Sequence, residues 1–129
     1  MLAVSVSCPV FPSEDPERVR QAVLNIFPGA ELVLSDGILS GAIDNTDHFG
    51  EQIRRQRILD STRSMLIKGR NGDHSSVHLN KQAAYAGKIS FTEAKTILGT
   101  IKVIFRSDDI LAFIGSLAPQ TVDGEEVLI

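Results

Sequence analysis

From its start the chain alternates: Leu2, Val4, Val6 and Cys8 fall on one side, Ala3, Ser5 and Ser7 on the other. A period of two describes a strand with one buried face, and Pro9 and Pro12 close it. Asp15 ahead of Pro16 predicts a helix start, because the carboxylate can cap free amides and proline loses no hydrogen bond at the first helical position. Val19, Val23, Ile26 and Phe27 keep helical spacing until Pro28-Gly29 stops the run. Glu31–Ser35 and Ile38–Asp44 then flank Asp36-Gly37, a favoured hairpin turn.

A helical pattern resumes after Asn45-Thr46, either of which can cap, and runs to Ile67 before Gly69. At about 100° per residue, Phe49 and Ile53 share one side of this helix. Ile58, Leu59, Thr62, Met65 and Leu66 lie nearly opposite. A straight helix would have to bury two opposed faces, so the spacing predicts a kink near Arg54–Gln56 or two helices at an angle. Gly69–Asp73 reads as a polar loop with two glycines. Val77 and Leu79, alternating with Ser76, His78 and Asn80, predict a strand, while Lys81–Ala86 fits either a helical turn or a loop. Lys88–Phe91 and Ile101–Phe105 read as two further strands, separated by a polar connection closing at Gly99. Ser107 or Asp108 can cap a last helix containing Ile110, Leu111, Phe113, Ile114 and Leu117, ended by Pro119. The order β-α-ββ-α(kinked)-βββ-α argues an α+β fold, with a mostly antiparallel sheet and helices on one face. At 129 residues the chain fits a single domain, residues 1–129, with a short acidic C-terminal tail.

Composition narrows the class. The chain is 43% hydrophobic and 22% charged, ordinary for a globular protein, and no apolar run approaches the ~20 residues that span a bilayer. Its start lacks the basic and long apolar stretches of a signal peptide. A single cysteine, Cys8, excludes an intrachain disulfide and points to a reducing, cytoplasmic compartment. Charge changes the picture most. Residues 1–53 carry 2 basic and 8 acidic side chains, residues 54–106 carry 11 and 3, and residues 107–129 carry none and 5. A total of −3 therefore hides a strongly positive middle, and such asymmetry reports a partner of negative charge.

The densest part holds Arg54, Arg55, Arg57, Arg63, Lys68 and Arg70, with Lys81 and Lys88 adjoining and Lys95, Lys102 and Arg106 further on. Opposite the apolar side of the second helical half fall Arg57, Ser61, Ser64 and Lys68. Guanidinium forks and serine hydroxyls suit phosphate oxygens, so this face can track a nucleic-acid backbone. Other readings compete. Asp60 can pair with Arg57 or Ser64, some arginines can meet the acidic first block, and Arg55 at the edge of the apolar side can be structural. The positive middle can equally dock on an acidic protein surface, including the tail of a second copy in a homodimer. Phe11, Phe27, Phe49, Phe105 and Phe113 sit at apolar positions, leaving Tyr85 and Phe91 as possible stacking groups. That is thin material for a single-strand platform, which favours contacts to backbone phosphate and folded RNA shape. His74 and His78 stand ~13 Å apart along a strand, too far for one ion, so no metal is expected. His48, near a helix start, reads as a surface residue. No phosphate-binding glycine loop, nucleophile elbow or cofactor motif is present, and the pairs Glu14/Asp15 and Asp108/Asp109 suit helix starts. The expectation is a non-enzymatic protein without a cofactor.

Four ordered stretches, PSEDPERVRQAVLNIFPGA, RRQRILDSTRSML, LNKQAAYAGKISF and LAPQTVDG, together resemble an archaeal family of small uncharacterised proteins, family zero-two-zero-one. The resemblance covers essentially the whole chain. It implies membership of a group of predicted RNA-binding proteins and predicted exosome-associated subunits. It also implies a fold similar to the large-subunit ribosomal protein that binds five-S ribosomal RNA. The family's basic motif corresponds to Arg54, Arg55, Gln56, Arg57, Ile58, Leu59, Asp60 and Arg63, and a second motif to Asn80, Lys81, Gln82, Ala83 and Ala84. The resemblance assigns no catalytic or ligand residue.

Overall fold

A computed structural model describes residues 2–92, 99–122 and 125–126. The alternating start is β1 (Leu2–Pro9), the centre of the sheet. It pairs on one side with β3 (Ile38–Ile43), which continues to β2 (Glu31–Ser35). On the other it pairs with β6 (Ile101–Ser107), followed by β5 (His74–Leu79) and the short β4 (Arg70–Asn71). The order is β2-β3-β1-β6-β5-β4, with every pairing antiparallel.

Register decides which face is buried. Val4 lies opposite Ile43 and Phe105, Val6 opposite Gly41 and Val103, and Cys8 opposite Leu39. These positions, with Val77 and Leu79, form one sealed face, while Ser5, Ser40, Ala42 and Lys102 look out from the other. Against the sealed face pack α1 (Pro16–Ile26), α2 (Asp47–Arg55), α3 (Leu59–Lys68), α4 (Lys81–Tyr85) and α5 (Ile110–Leu117). Phe27, Phe49, Phe105 and Phe113 form a relay of rings with centroids 5.5, 6.0 and 5.4 Å apart, binding α1, α2, β6 and α5 into one core. Burial pushes the Cys8 thiol up to about 11, keeping it a neutral core residue. A small separate hairpin, β7 (Thr121–Val122) and β8 (Glu125–Glu126), follows α5.

Local signals in the sequence locate most of these elements. Asp15 caps α1 by accepting from the Glu17 amide, with Pro16 in the first turn. Asp36 and Gly37 both take positive φ, 52° and 76°, as a tight hairpin requires. The helix of opposed faces is two helices, broken at Gln56-Arg57-Ile58. Four details depart from expectation, and the open choice at Lys81–Ala86 is settled as a helix. Lys88–Phe91 is no strand: Phe91 makes one bridge to Leu79, because a glutamine side chain takes the Ile89 backbone groups that a ladder would use. The loop after Gly69 contains β4, and Lys81–Tyr85 is a helix because Asn80 caps it, accepting from the Ala83 amide. The last helix is capped by Asp109, with Ser107 accepting from the Asp109 amide. Phe11 is not core but 38% exposed, its ring facing the Lys81 ammonium at 5.3 Å, and Leu111 is exposed. The 93–98 segment, including Lys95, and most of the acidic tail lie outside the described residues.

Candidate nucleic-acid interface

The eight cations singled out in the sequence separate into two groups. Three reach main-chain carbonyls, Lys81 from a buried position, Arg63 from a half-buried one and Arg54 from an exposed one. Lys81 is nearly buried and ion-pairs Glu14 at 2.9 Å, also donating to the Pro9 carbonyl. It is a joint between the basic middle and the acidic first block, not a phosphate contact. Arg54 donates to the carbonyls of Gly50 at 3.0 Å and Leu117 at 3.3 Å, and Arg63 makes a long contact of 3.4 Å to the Ala118 carbonyl. Both hold the buried C-terminal end of α5, where carbonyls without helical partners favour cations.

Arg55, Arg57, Lys68, Arg70 and Lys88 are exposed, and among the described residues none makes an ion pair. Arg55 is exposed at the surface, and its guanidinium donates to the Gln52 side chain at 3.0 Å. Ser61, Ser64 and Lys68 share the exposed face of α3 as their spacing predicts. Asp60 is not paired with Arg57 or Ser64; both its oxygens accept from the Thr121 hydroxyl, at 2.7 and 2.8 Å.

The break between α2 and α3 explains how three of these cations come together. The Ile58 amide donates to the Ile53 carbonyl and the Arg57 amide to the Arg54 carbonyl, the bonding of a Schellman turn. Its left-handed position is normally glycine, yet here it is Arg57, with φ of 58°. The end of α4 repeats the bonding with glycine: Lys88 donates to the Ala83 carbonyl, Gly87 to that of Ala84, and Gly87 has φ of 82°. Gln56 joins the two turns, donating to the Ile89 carbonyl at 3.0 Å and accepting from the Ile89 amide at 2.8 Å. Buried Gln52 donates to Gln56 at 2.7 Å and to the Gly87 carbonyl at 3.1 Å. Arg57 and Lys88, each adjacent to a member of the Gln56–Ile89 pair, therefore flank one elbow, with Arg55 beside them.

A cleft of about 610 Å³ opens beside this elbow, between α3 and the Ile89–Phe91 segment. Its own lining carries Asp60 and no cation, Arg57 and Lys88 standing next to it in the chain. Two others mix charges: the one between the start of α1 and α4 is lined by Glu14, Asp15, Arg18 and Lys81, and the one between α2 and α5 by Asp47, Glu51 and Arg54. His74 and His78 both stand on β5, and no group of three or more metal-ligating side chains gathers among the described residues. His48 is half-buried, its ring nitrogen 3.1 Å from the Asn25 carbonyl.

A family described as RNA binding matches residues 3–107, which span the sheet, the elbow and the cleft walls. A UPF0201 protein of Thermococcus onnurineus is 39% identical over 94% of this chain and 94% of its own length. The chain belongs to the UPF0201 family. A UPF0200/UPF0201 protein of Archaeoglobus fulgidus is also 39% identical, and this chain spans 39% of that longer protein. UPF0201 crystal structures superpose over almost their full length. One, described as an uncharacterized UPF0201 protein, gives a TM-score of 0.88 at 38% identity, covering 97% of this chain and 99% of that one. Another, from Methanococcus jannaschii, gives 0.89 at 34% identity, covering 98% and 99%. No helix among the described residues is long and apolar enough to cross a membrane.

Sequence reading missed the glutamine clamp. A signal was present: Gln52 and Gln56 are four residues apart on the side of α2 that carries Phe49 and Ile53, where a polar side chain must find partners. The cleft had no such signal, since its far wall, Ile89–Phe91, begins 32 residues downstream of Arg57.

Proposed function

We propose that this chain binds structured RNA through backbone phosphates and catalyses no reaction. Arg55, Arg57 and Lys88 form the centre of the interface, and Lys68 and Arg70 extend it at the other end of α3. A ten-residue helix places those two groups ~15 Å apart, a reach that takes in more than one phosphate. The observation that carries the reading is Arg57. An arginine held left-handed, where glycine fits without strain, points to a role for the side chain itself. The RNA-binding family match supports the choice of polyanion.

Titration of a folded RNA hairpin at several salt concentrations tests this. Each neutralised phosphate contributes roughly 0.7–0.9 to the log–log slope, so engagement of all five cations predicts a slope of about −4. Changing Arg55, Arg57 and Lys88 together to Gln removes two to three from that slope. Absence of binding at low ionic strength, or binding indifferent to salt, overturns the proposal.

A further inference from the structure

The cleft beside the elbow has walls of two chemical kinds. Ile58 and Met65 on α3 face Ile89 and Phe91 across it, all but Ile89 only half-buried. Ser61, Ser64 and Ser90 line its rim, and Asp60 supplies its carboxylate. Arg57 immediately precedes Ile58 on one wall, and Lys88 immediately precedes Ile89 on the other. A ligand that spans elbow and cleft would present negative charge to Arg57 and Lys88, which flank the cleft without lining it, an apolar body between the walls, and hydrogen-bond donors toward Asp60. A carboxylate there repels a second phosphate but accepts from N–H groups, and each oxygen retains capacity beyond the bond from Thr121.

An unpaired nucleotide meets all three demands. We propose that the cleft takes a base splayed out of a loop or bulge of the bound RNA, with its backbone phosphate on Arg57 and Lys88. The base lies against Phe91 and Met65 and turns its edge to Asp60. Guanine suits best, because its N1–H and N2–H donors stand side by side and match two carboxylate oxygens. The inference rests on the RNA reading above and deepens it: phosphate contacts fix position, and the cleft reads an unpaired base.

The test compares two RNAs of equal length and charge, a hairpin with one unpaired guanosine in a short bulge and its fully paired counterpart. Guanosine is replaced by 2-aminopurine in a third, so that unstacking is read by fluorescence. The expected result is about tenfold tighter binding of the bulged RNA, the size found for one base–aromatic stack. Ser64→Trp, which fills the cleft from an exposed position, and Phe91→Ala should each abolish that preference. Binding of the paired RNA and its salt slope should stay unchanged in Phe91→Ala. Replacing the bulged guanosine by uridine should lose part of the gain, and Asp60→Asn should narrow the difference between the two bases. Equal binding of bulged and paired RNA, or a preference that survives Ser64→Trp, overturns the cleft while leaving the phosphate reading intact. Failure of both RNAs to bind at low salt overturns both.

Discussion

Lysine and arginine side chains that look alike in the sequence have different work in the fold. Lys81 is the clearest case: its ammonium is shielded from water, pairs Glu14 at 2.9 Å and faces the Phe11 ring. Breaking a buried pair leaves one charge desolvated without a partner, which costs about 3–5 kcal/mol. Lys81→Ala is therefore expected to lower stability by roughly that amount in urea unfolding. Lys81→Ala/Glu14→Ala should recover part of the loss, since both charges then disappear together. RNA affinity of the folded fraction should stay within about twofold of the parent, because the Lys81 ammonium is taken up by Glu14 and the Pro9 carbonyl and stands outside the proposed interface. A large loss of affinity at unchanged stability would return Lys81 to the interface. Arg54 and Arg63 follow the same logic more weakly, through carbonyls at the end of α5.

At the level of elements, the informative unit is the pair of helix ends facing each other through Gln56 and Ile89. One end uses Gly87, the other Arg57. Relieving a left-handed non-glycine residue stabilises by about 1 kcal/mol, partly offset by the greater freedom of glycine in the unfolded chain. Arg57→Gly should thus leave the protein as stable or up to about 1 kcal/mol more stable, while its RNA affinity falls. Thermal unfolding and RNA titration on the same sample check the two directions, and a loss in both would make Arg57 merely structural. This elbow also marks how far sequence could be read. The break was visible because Phe49 and Ile53 oppose Leu59 and Leu66, a conflict no straight helix resolves. The partners of the break were not visible. Periodicity reports which face of a segment is buried, whereas the Gln56–Ile89 bonds join residues 33 positions apart and owe nothing to period. For the same reason Ile89 and Phe91 read as strand: their apolar character reflects cleft and core, and the competing side-chain acceptor cannot be seen in local pattern. The polar stripe Ser61, Ser64 and Lys68 was legible because it follows helical spacing alone.

Across the whole molecule, the sheet order sets strands of the two oppositely charged blocks on opposite sides of β1, while the start of α1 meets the basic block at the Glu14–Lys81 pair. Strands β2 and β3, from the acidic first block, lie to one side of β1, and β6, β5 and β4, from the basic block, to the other. On the RNA reading proposed above, binding depends on the local cations at the elbow and not on the net charge of −3. The acidic tail starts at a defined point, because Thr121 is hydrogen-bonded to Asp60 in the first turn of α3. Beyond it the chain carries Asp123, Glu125 and Glu126. Three negative charges in the sequence just after Thr121 would oppose a polyanion bound along α3, and such an effect reaches about 10 Å at 0.1 M salt but only about 3 Å at 1 M. Removing residues 122–129 is accordingly expected to tighten RNA binding roughly two- to fivefold at low salt and to change little at high salt. Converting the three carboxylates to amides in the full-length chain should reproduce the gain, which separates charge from chain length. Fluorescence anisotropy with one labelled hairpin at two salt concentrations measures both variants. A tail deletion that weakens binding at low salt would mean the tail contributes contacts to the RNA, and the face beside Asp60 would then have to be redrawn to include it.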